Sequence, residues 1–223
     1  MSGESMYNIK MNKTPIQMRN AKLGAEVVKV LNERFFEAWY FDSRDLAIEK
    51  IISLIPKTDL VSWGGSMTVS ELGIQERLSN LGFNLLDRDK ASSNEERMEI
   101  MRKALLCDTF LTSANAISED GCLVNIDGFG NRVAAIMFGP KQVIVVAGIN
   151  KVVKTLDDAL TRAQTVSAPM NMQRFLLKTP CAETGSCKNC HSADSICRHI
   201  VTTRLCKPTG RIKVILIGES LGF

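Results

Sequence analysis

Leu60-Val61-Ser62-Trp63-Gly64-Gly65-Ser66-Met67-Thr68 is a short apolar run that breaks off at two glycines and leads into a helix-forming segment, Val69 to Leu81. A buried strand that stops at glycines and feeds a helix is the unit from which parallel sheets are built. The unit recurs downstream. Phe83 to Leu86 reads as a strand, Asn94 to Leu105 as a helix and Asp108 to Ser113 as a strand. Gln142 to Ala147 is the most hydrophobic run and is expected at the centre of the sheet. Leu156 to Leu177 supplies one or two helices interrupted near Pro169, and Arg211 to Ile217 a last strand. The expected fold is α/β, a Rossmann-like, mostly parallel sheet with helices on both faces.

Two segments have a different texture. Cys122 to Ile126 and Asn131 to Phe138 are apolar and flank Asp127-Gly128, a pattern that predicts an antiparallel hairpin beside the parallel strands. Upstream, Leu23, Val27, Val30, Leu31 and Phe35 recur at a helical period within Ala21 to Ala38. The aromatic patch Phe35-Phe36-Glu37-Ala38-Trp39-Tyr40 is expected to pack that helix on the body. Asp42 or Ser43 caps a second helix that Pro56 closes. Residues 1–58 therefore read as an N-terminal helical segment packed on the core, and 59–223 as the α/β domain, interrupted by a cysteine-rich insertion at 180–207.

At 223 residues the chain has room for one large core with an appendix rather than two full domains. Its net charge of +4 is spread over interspersed acids and bases, so neither a nucleic-acid stripe nor a polybasic membrane face stands out. No stretch approaches the roughly 20 apolar residues that span a bilayer, and Met1 to Lys13 lacks an apolar signal core. A cytoplasmic protein is expected, binding neither nucleic acid nor membrane. Its thiols would then be reduced or metal-bound, and Cys107 and Cys122, set in apolar runs, would be small core residues.

The insertion is the chemically loaded part. Cys181, Cys187, Cys190 and Cys197 crowd into a polar segment with both histidines, His191 and His199, and Cys206 comes after them. Such a loop buries too little apolar surface to offset its ordering entropy, so a metal centre is expected to hold it. Soft thiolate shells suit zinc or iron–sulfur clusters. The Cys187-x-x-Cys190 knuckle stands alone, and the outer cysteines lie at wider spacings than paired zinc knuckles have, which points to a four-iron, four-sulfur (4Fe–4S) cluster. Zinc is the alternative.

Three strand ends carry further candidates. Gly64, Gly65, Ser66 and Thr68 precede a helix, where bare amides and hydroxyls favour an anion. Glu119, in Ser118-Glu119-Asp120-Gly121, is the candidate catalytic carboxylate, as general base or nucleophile. Asn131 and Arg132, with Asn150 and Lys151, place two amides and two cations where they would clamp an anionic substrate.

The succession Trp63-Gly64-Gly65-Ser66, Glu119-Asp120-Gly121-x-Leu-Val-Asn-x-Asp-Gly-x-Gly-Asn-Arg132, Gly139-Pro-Lys-x-Val-x-Val-Val-x-Gly-x-Asn-Lys151, Pro180-Cys-x-x-Thr-Gly-x-Cys-x-x-Cys190 and Arg211-Ile-Lys-Val-Ile-Leu-Ile-Gly-Glu219 resembles the lactate-utilisation (LUD) domain family. It is most similar to the short, single-domain members with a cysteine-rich loop, from about Leu60 to Phe223. The resemblance implies a fold like that of the ribose-phosphate isomerase, glucosamine-phosphate deaminase and CoA-transferase group, with Gly64, Gly65 and Ser66 on a phosphate or related anion. It also implies a site role for Glu119, since CoA transferases of the group use a glutamate in a Ser-Glu-Asn-Gly setting. Here Asp120 replaces that asparagine, and the paired cluster motifs of longer, ferredoxin-bearing relatives are missing.

The function expected is organic-acid (lactate-like) redox metabolism. In that reading the protein binds a small anionic metabolite, carries the cluster on Cys181, Cys187, Cys190 and Cys197, and exchanges electrons with a redox partner protein. The sequence leaves open a homo-oligomer, a non-redox binding or assembly protein with structural zinc, and a CoA-transferase-like enzyme using Glu119.

Overall fold

Helix α1 (Pro15–Glu33) opens on a capping box in which the Thr14 hydroxyl accepts from Gln17 N while the Gln17 side chain accepts from Thr14 N. Its buried stripe, Val27 and Leu31, faces the sheet. The helix ends earlier than its apolar period suggests, because Phe35 takes φ +67° and the chain reverses. The next element is a strand, β1 (Glu37–Phe41), so the aromatic patch is an edge of the main sheet and not simply the packing surface of a helix. Gly24 makes the contact possible: a Cβ there would sit 2.1 Å from the Tyr40 ring.

The computed structural model describes residues 13–223. After β1 the strands are β2 (Leu60–Trp63), β3 (Asn84–Leu85), β4 (Thr109–Thr112), β5 (Ala116–Ser118), β6 (Leu123–Asp127), β7 (Gln142–Gly148), β8 (Val152–Val153), β9 (His199–Thr203) and β10 (Ile212–Ile217). After α1 the helices are α2 (Arg44–Ser53), α3 (Met67–Glu71), α4 (Ile74–Asn80), α5 (Asn94–Lys103), α6 (Asn131–Met137), α7 (Leu156–Arg162), α8 (Ala168–Met172) and α9 (Pro180–Thr184). Residues before 59 thus contribute a strand as well as helices. The single helix expected from Val69 to Leu81 is split into α3 and α4 at Gly73, which has φ +61°.

The main sheet runs β1-β10-β7-β4-β2-β3 and is parallel throughout. Alternate residues of β7 serve opposite faces. Val143 and Val145 join Val27 and Leu31 of α1 and Ile136 of α6, while Ile144 and Val146 join Ile51 of α2, Val69 of α3 and Leu78 of α4. Helices on both faces explain why β7 reads as an unbroken apolar run. Burying each such side chain is worth about 1.5–3 kcal/mol.

A second sheet, β8-β5-β6-β9, lies alongside, and it corrects the expected hairpin. β6 pairs antiparallel with β5, not with Asn131 to Phe138, which form α6. The reason is local: Asp127 accepts from Gly130 N at 3.1 Å, Arg132 N at 3.0 Å and Val133 N at 3.2 Å, so its carboxylate caps a helix start instead of a hairpin turn. The insertion at 180–207 includes α9 and also β9, whose His199 stands opposite Asp127 of β6. Among the described residues no helix is long and apolar enough to cross a membrane.

Candidate functional site

β2 and β4 are neighbours, but the chain leaves β2 outward to β3 and leaves β4 the other way, to β7 and then β10. A crevice opens at the carboxyl ends of parallel strands where the order reverses in this way, and ligands of α/β proteins bind there. Gly64 and Gly65 line it directly after β2, tied to β4 by Gly64 N donating to Leu111 O at 3.0 Å. Ser66 caps α3, its Oγ accepting from Val69 N at 3.3 Å. That bond leaves the hydroxyl proton free to donate.

Beneath this loop Thr68, Ser113 and Lys151 meet. Lys151 Nζ donates to Thr68 Oγ1 at 2.8 Å and to Ser113 Oγ at 3.0 Å, and the residue is 3% exposed. Burial, with the positive charges of Arg162 and Arg132 added, pushes its amine down to about 7; Glu71 opposes the shift. The segment after β10 closes over it. Thr68 Oγ1 donates to Leu221 O, Asn150 grips Leu221 N and Gly222 O, and Glu71 accepts from Gly222 N at 2.8 Å. Gly222, at φ +55°, packs so closely that a Cβ would lie 2.6 Å from Thr68 Oγ1.

The structure brings Arg132 and Lys151, the two cations of the expected anion clamp, to this edge together. The guanidinium of Arg132 is committed to the protein, however. It donates to Ser113 O, Asn125 Oδ1, Asn115 Oδ1 and Ile126 O at 2.5–2.9 Å, with Asp127 3.8 Å away. Asn131 opens α6 beside it. Asn115 is the hub of a longer network, since its backbone oxygen also accepts from Arg162 Nη1 at 2.5 Å and Ser167 Oγ at 3.0 Å.

Two arginines that do not stand out in the sequence also reach the loop. Arg88 is 14% exposed, and its Nη2 lies 2.6 Å from where a Cβ on Gly65 would be. Its Nη1 donates only to the Met101 sulfur, at 3.5 Å, and its Nε is buried without a hydrogen-bond partner among the described residues. Arg174, just beyond α8, donates to Gly65 O at 3.2 Å. Arg88 sits directly beyond the carboxyl end of β3, and that position is the signal the sequence offers for it.

Glu119 does not join this group. Its turn packs on α1, where a Cβ at Gly121 would meet Arg34 and Val30, and Arg34 pairs with Asp120. The Glu119 carboxylate is bound to Lys154 at 2.6 Å. α1 runs antiparallel to β1, so its C-terminal end, and this turn with it, lies towards the amino ends of the main strands. Among the described residues the printed side-chain partner of Glu119 is Lys154, not a crevice residue.

The four cysteines of the insertion do converge. Cys181, Cys187, Cys190 and Cys197 all line one cavity of about 80 Å³, with Gln164, Ala168, Met172 and Ile200. Cys181 Sγ is 3.4 Å from the Thr179 hydroxyl, and Asn189 N, inside the knuckle, donates to Cys187 Sγ at 3.5 Å. Burial raises the Cys197 thiol to about 11, with the neighbouring Cys187, Cys181 and Cys190 adding to the shift. Among the described residues no three such side chains gather at a point that a single ion could occupy. The two histidines stand apart from the cavity lining, and His199 instead packs on Gly130. A π-helical turn, Ala163–Ser167, flanks the cavity through Gln164 and reaches Asn115 through Ser167.

The LUD domain model matches residues 24–217. Among solved structures, the chain is similar to a DUF162 family protein from Deinococcus radiodurans, with a TM-score of 0.53 at 12% identity, covering 89% of this chain and 98% of that one. At that identity the likeness shows the fold. It is also similar to eIF2B delta from Chaetomium thermophilum, with a TM-score of 0.33 at 18% identity, over 65% of this chain and 67% of that one. No curated protein matches the chain.

Proposed function

Since this chain belongs to the LUD domain family, we propose that it serves organic-acid redox metabolism, binding a small anionic metabolite at Gly64–Gly65–Ser66 and holding a 4Fe–4S cluster on Cys181, Cys187, Cys190 and Cys197. The observation that carries this reading is the shared cavity of the four thiols. Four of its lining residues are cysteines, its volume exceeds the ~30 Å³ share of one water molecule, and among the described residues no three of these side chains gather where one ion could sit. A tetrahedral zinc site with Zn–S near 2.3 Å needs sulfurs about 3.8 Å apart. A larger inorganic core tolerates the wider spread.

The residues around the cavity fit that role. Thr179 and the Asn189 amide lie within hydrogen-bond reach of thiolate sulfur, an interaction that tunes cluster potential. The high Cys197 pKa reflects its burial first and the crowding of the other three thiols second. A bound cluster would supply electron transfer. The chain's own part is to place Cys181 on α9, to exclude water with Met172, and to link this wall to the crevice through Ser167, Asn115 and Arg132. At the crevice, Gly65 lets the backbone approach an anion and Ser66 offers a hydroxyl proton. Organic-acid chemistry with an electron acceptor nearby is the function these parts support together.

Oxygen-protected purification tests it. Brown protein with about four irons and four acid-labile sulfides per chain is expected, with Cys190→Ser folded but colourless. Zinc without sulfide would instead make the loop a structural clasp.

A further inference from the structure

Five large apolar side chains stand exposed at the amino end of the main sheet. Leu106 comes just before β4 and Phe138 shortly before β7, and each is 85% exposed, with Met137 beside them half-exposed at the end of α6. The two segments touch: a Cβ on Gly139 would lie 2.6 Å from Leu105 O. Phe35, half-exposed, precedes β1. Leu205, also half-exposed, is held next to it, because Arg34 Nη1 donates to Arg204 O at 3.1 Å and Arg34 O accepts from Cys206 N at 3.0 Å. β1, β10, β7 and β4 are consecutive in the sheet, and at ~4.8 Å per strand their starts span only about 14 Å. The five side chains therefore share one band. Single exposed apolar residues are ordinary, whereas a band of them marks a contact surface. Phe35 supplies an independent sign. It is a bulky aromatic at φ +67°, where glycine would make the reversal into β1 without strain, and residues held in such strain gather at functional positions.

We propose that this band is the contact between two copies of the chain, packed about a two-fold axis. The inference is independent of the metabolite and cluster reading. Composition and charge select the occupant. Two Phe, one Met and two Leu make the apolar centre that homodimer interfaces have. The charged groups at the strand starts are matched within the chain: Lys213 pairs with Glu37 at 2.8 Å, Lys141 pairs with Asp108 at 2.6 Å, and the Arg211 guanidinium donates to the carbonyls of Ala135, Ile136 and Pro140. A centre so matched meets its own copy without forcing like charges together. The five side chains expose on the order of 600 Å², close to the ~800 Å² per partner of a standard interface, so a modest polar rim completes it. The margin is basic, since Lys103, Arg204 and Lys207 are exposed there without a carboxylate in ion-pair contact among the described residues. Salt therefore strengthens the self-contact by screening these cations, and would weaken the binding of an acidic partner. The band lies at the opposite end of the strands from the glycine loop, so both crevices of the dimer stay open.

Sedimentation velocity of the whole chain in reducing buffer, over a range of protein concentrations, tests the assignment. A monomer–dimer equilibrium that added salt strengthens is expected. Phe138→Glu and Leu106→Glu set two like charges in the two-fold contact, and each is expected to weaken it at least tenfold while the dilute monomer melts as the parent does. Phe35→Gly is expected to weaken the dimer and to leave the dilute monomer as stable or more so, because glycine relieves the strain. A parent that stays monomeric at every concentration overturns the proposal. So does a dimer of undiminished strength in Phe138→Glu and Leu106→Glu, or one that salt dissociates. A dilute Phe35→Gly monomer with a lower melting temperature overturns the part given to that residue, whose ring would then serve the fold.

Discussion

Lys151 Nζ donates to Thr68 Oγ1 at 2.8 Å inside a pocket closed by Gly222, so an amine is held by two hydroxyls with no carboxylate in salt-bridge contact among the described residues. Its pKa falls to about 7 in the fold, against roughly 10.4 in an unfolded chain. Between those values the unfolded chain binds one proton more, so stability rises with pH from about 7 towards 10. Below pH 7 both states are protonated and the full cost of the buried charge, of the order of a few kcal/mol, applies. Urea denaturation at pH 6.5 and 9 is expected to show the native protein gaining stability and Lys151→Met gaining much less. Equal pH dependence in the two would refute the depressed pKa.

Asn150 pins the closing segment by accepting from Leu221 N at 3.1 Å and donating to Gly222 O at 3.2 Å. Asn150→Ala removes both bonds, at about 1–2 kcal/mol. Local opening is expected to exceed global loss: amides of residues 219–223 exchange faster, and Lys151 reacts sooner with acylating reagents. Unchanged labelling of Lys151 would mean that this segment does not guard it.

Gly24 has no room for a side chain beneath Tyr40. Gly24→Ala gains up to ~1 kcal/mol of helix propensity, but overpacking costs typically 1–3 kcal/mol. A net loss is expected, recovered in part when Tyr40→Leu is added. Chemical denaturation of the two single variants and the double closes the cycle.

Arg132→Met should be the most damaging of these changes. It strands Asn125 Oδ1, takes one donor each from Asn115 Oδ1 and the Ser113 and Ile126 carbonyls, and leaves Asp127 without its cation. A loss of about 3–5 kcal/mol is expected from equilibrium unfolding. A variant of near-native stability would point to a ligand-binding part for Arg132 instead.

Much of the main sheet is legible in the sequence because its strands are short apolar runs ending in glycine or polar turns. β2, β4, β7 and β10 fall where Leu60–Trp63, Asp108–Ser113, Gln142–Ala147 and Arg211–Ile217 predict them. β1 is hidden because Phe35 and Ala38 also satisfy the helical period of the preceding residues; only the reversal at Phe35, fixed by its carbonyl accepting from Gly210 N, separates the two. α6 is hidden because Asp127-Gly128 reads as a hairpin turn until the carboxylate is seen capping three amides.

The sequence by itself determined the α/β class, the glycine loop at a strand end and the concentration of thiols after Pro180, because each is written in local spacing and composition. Tertiary structure alone decided what these parts face. It turned Arg132 inward onto four oxygens, carried Glu119 to the far end of the strands, drew four sulfurs around one cavity and set Arg88 against Gly65. Those outcomes depend on which distant segments pack together, and contacts between residues dozens of positions apart leave no periodic trace along the chain.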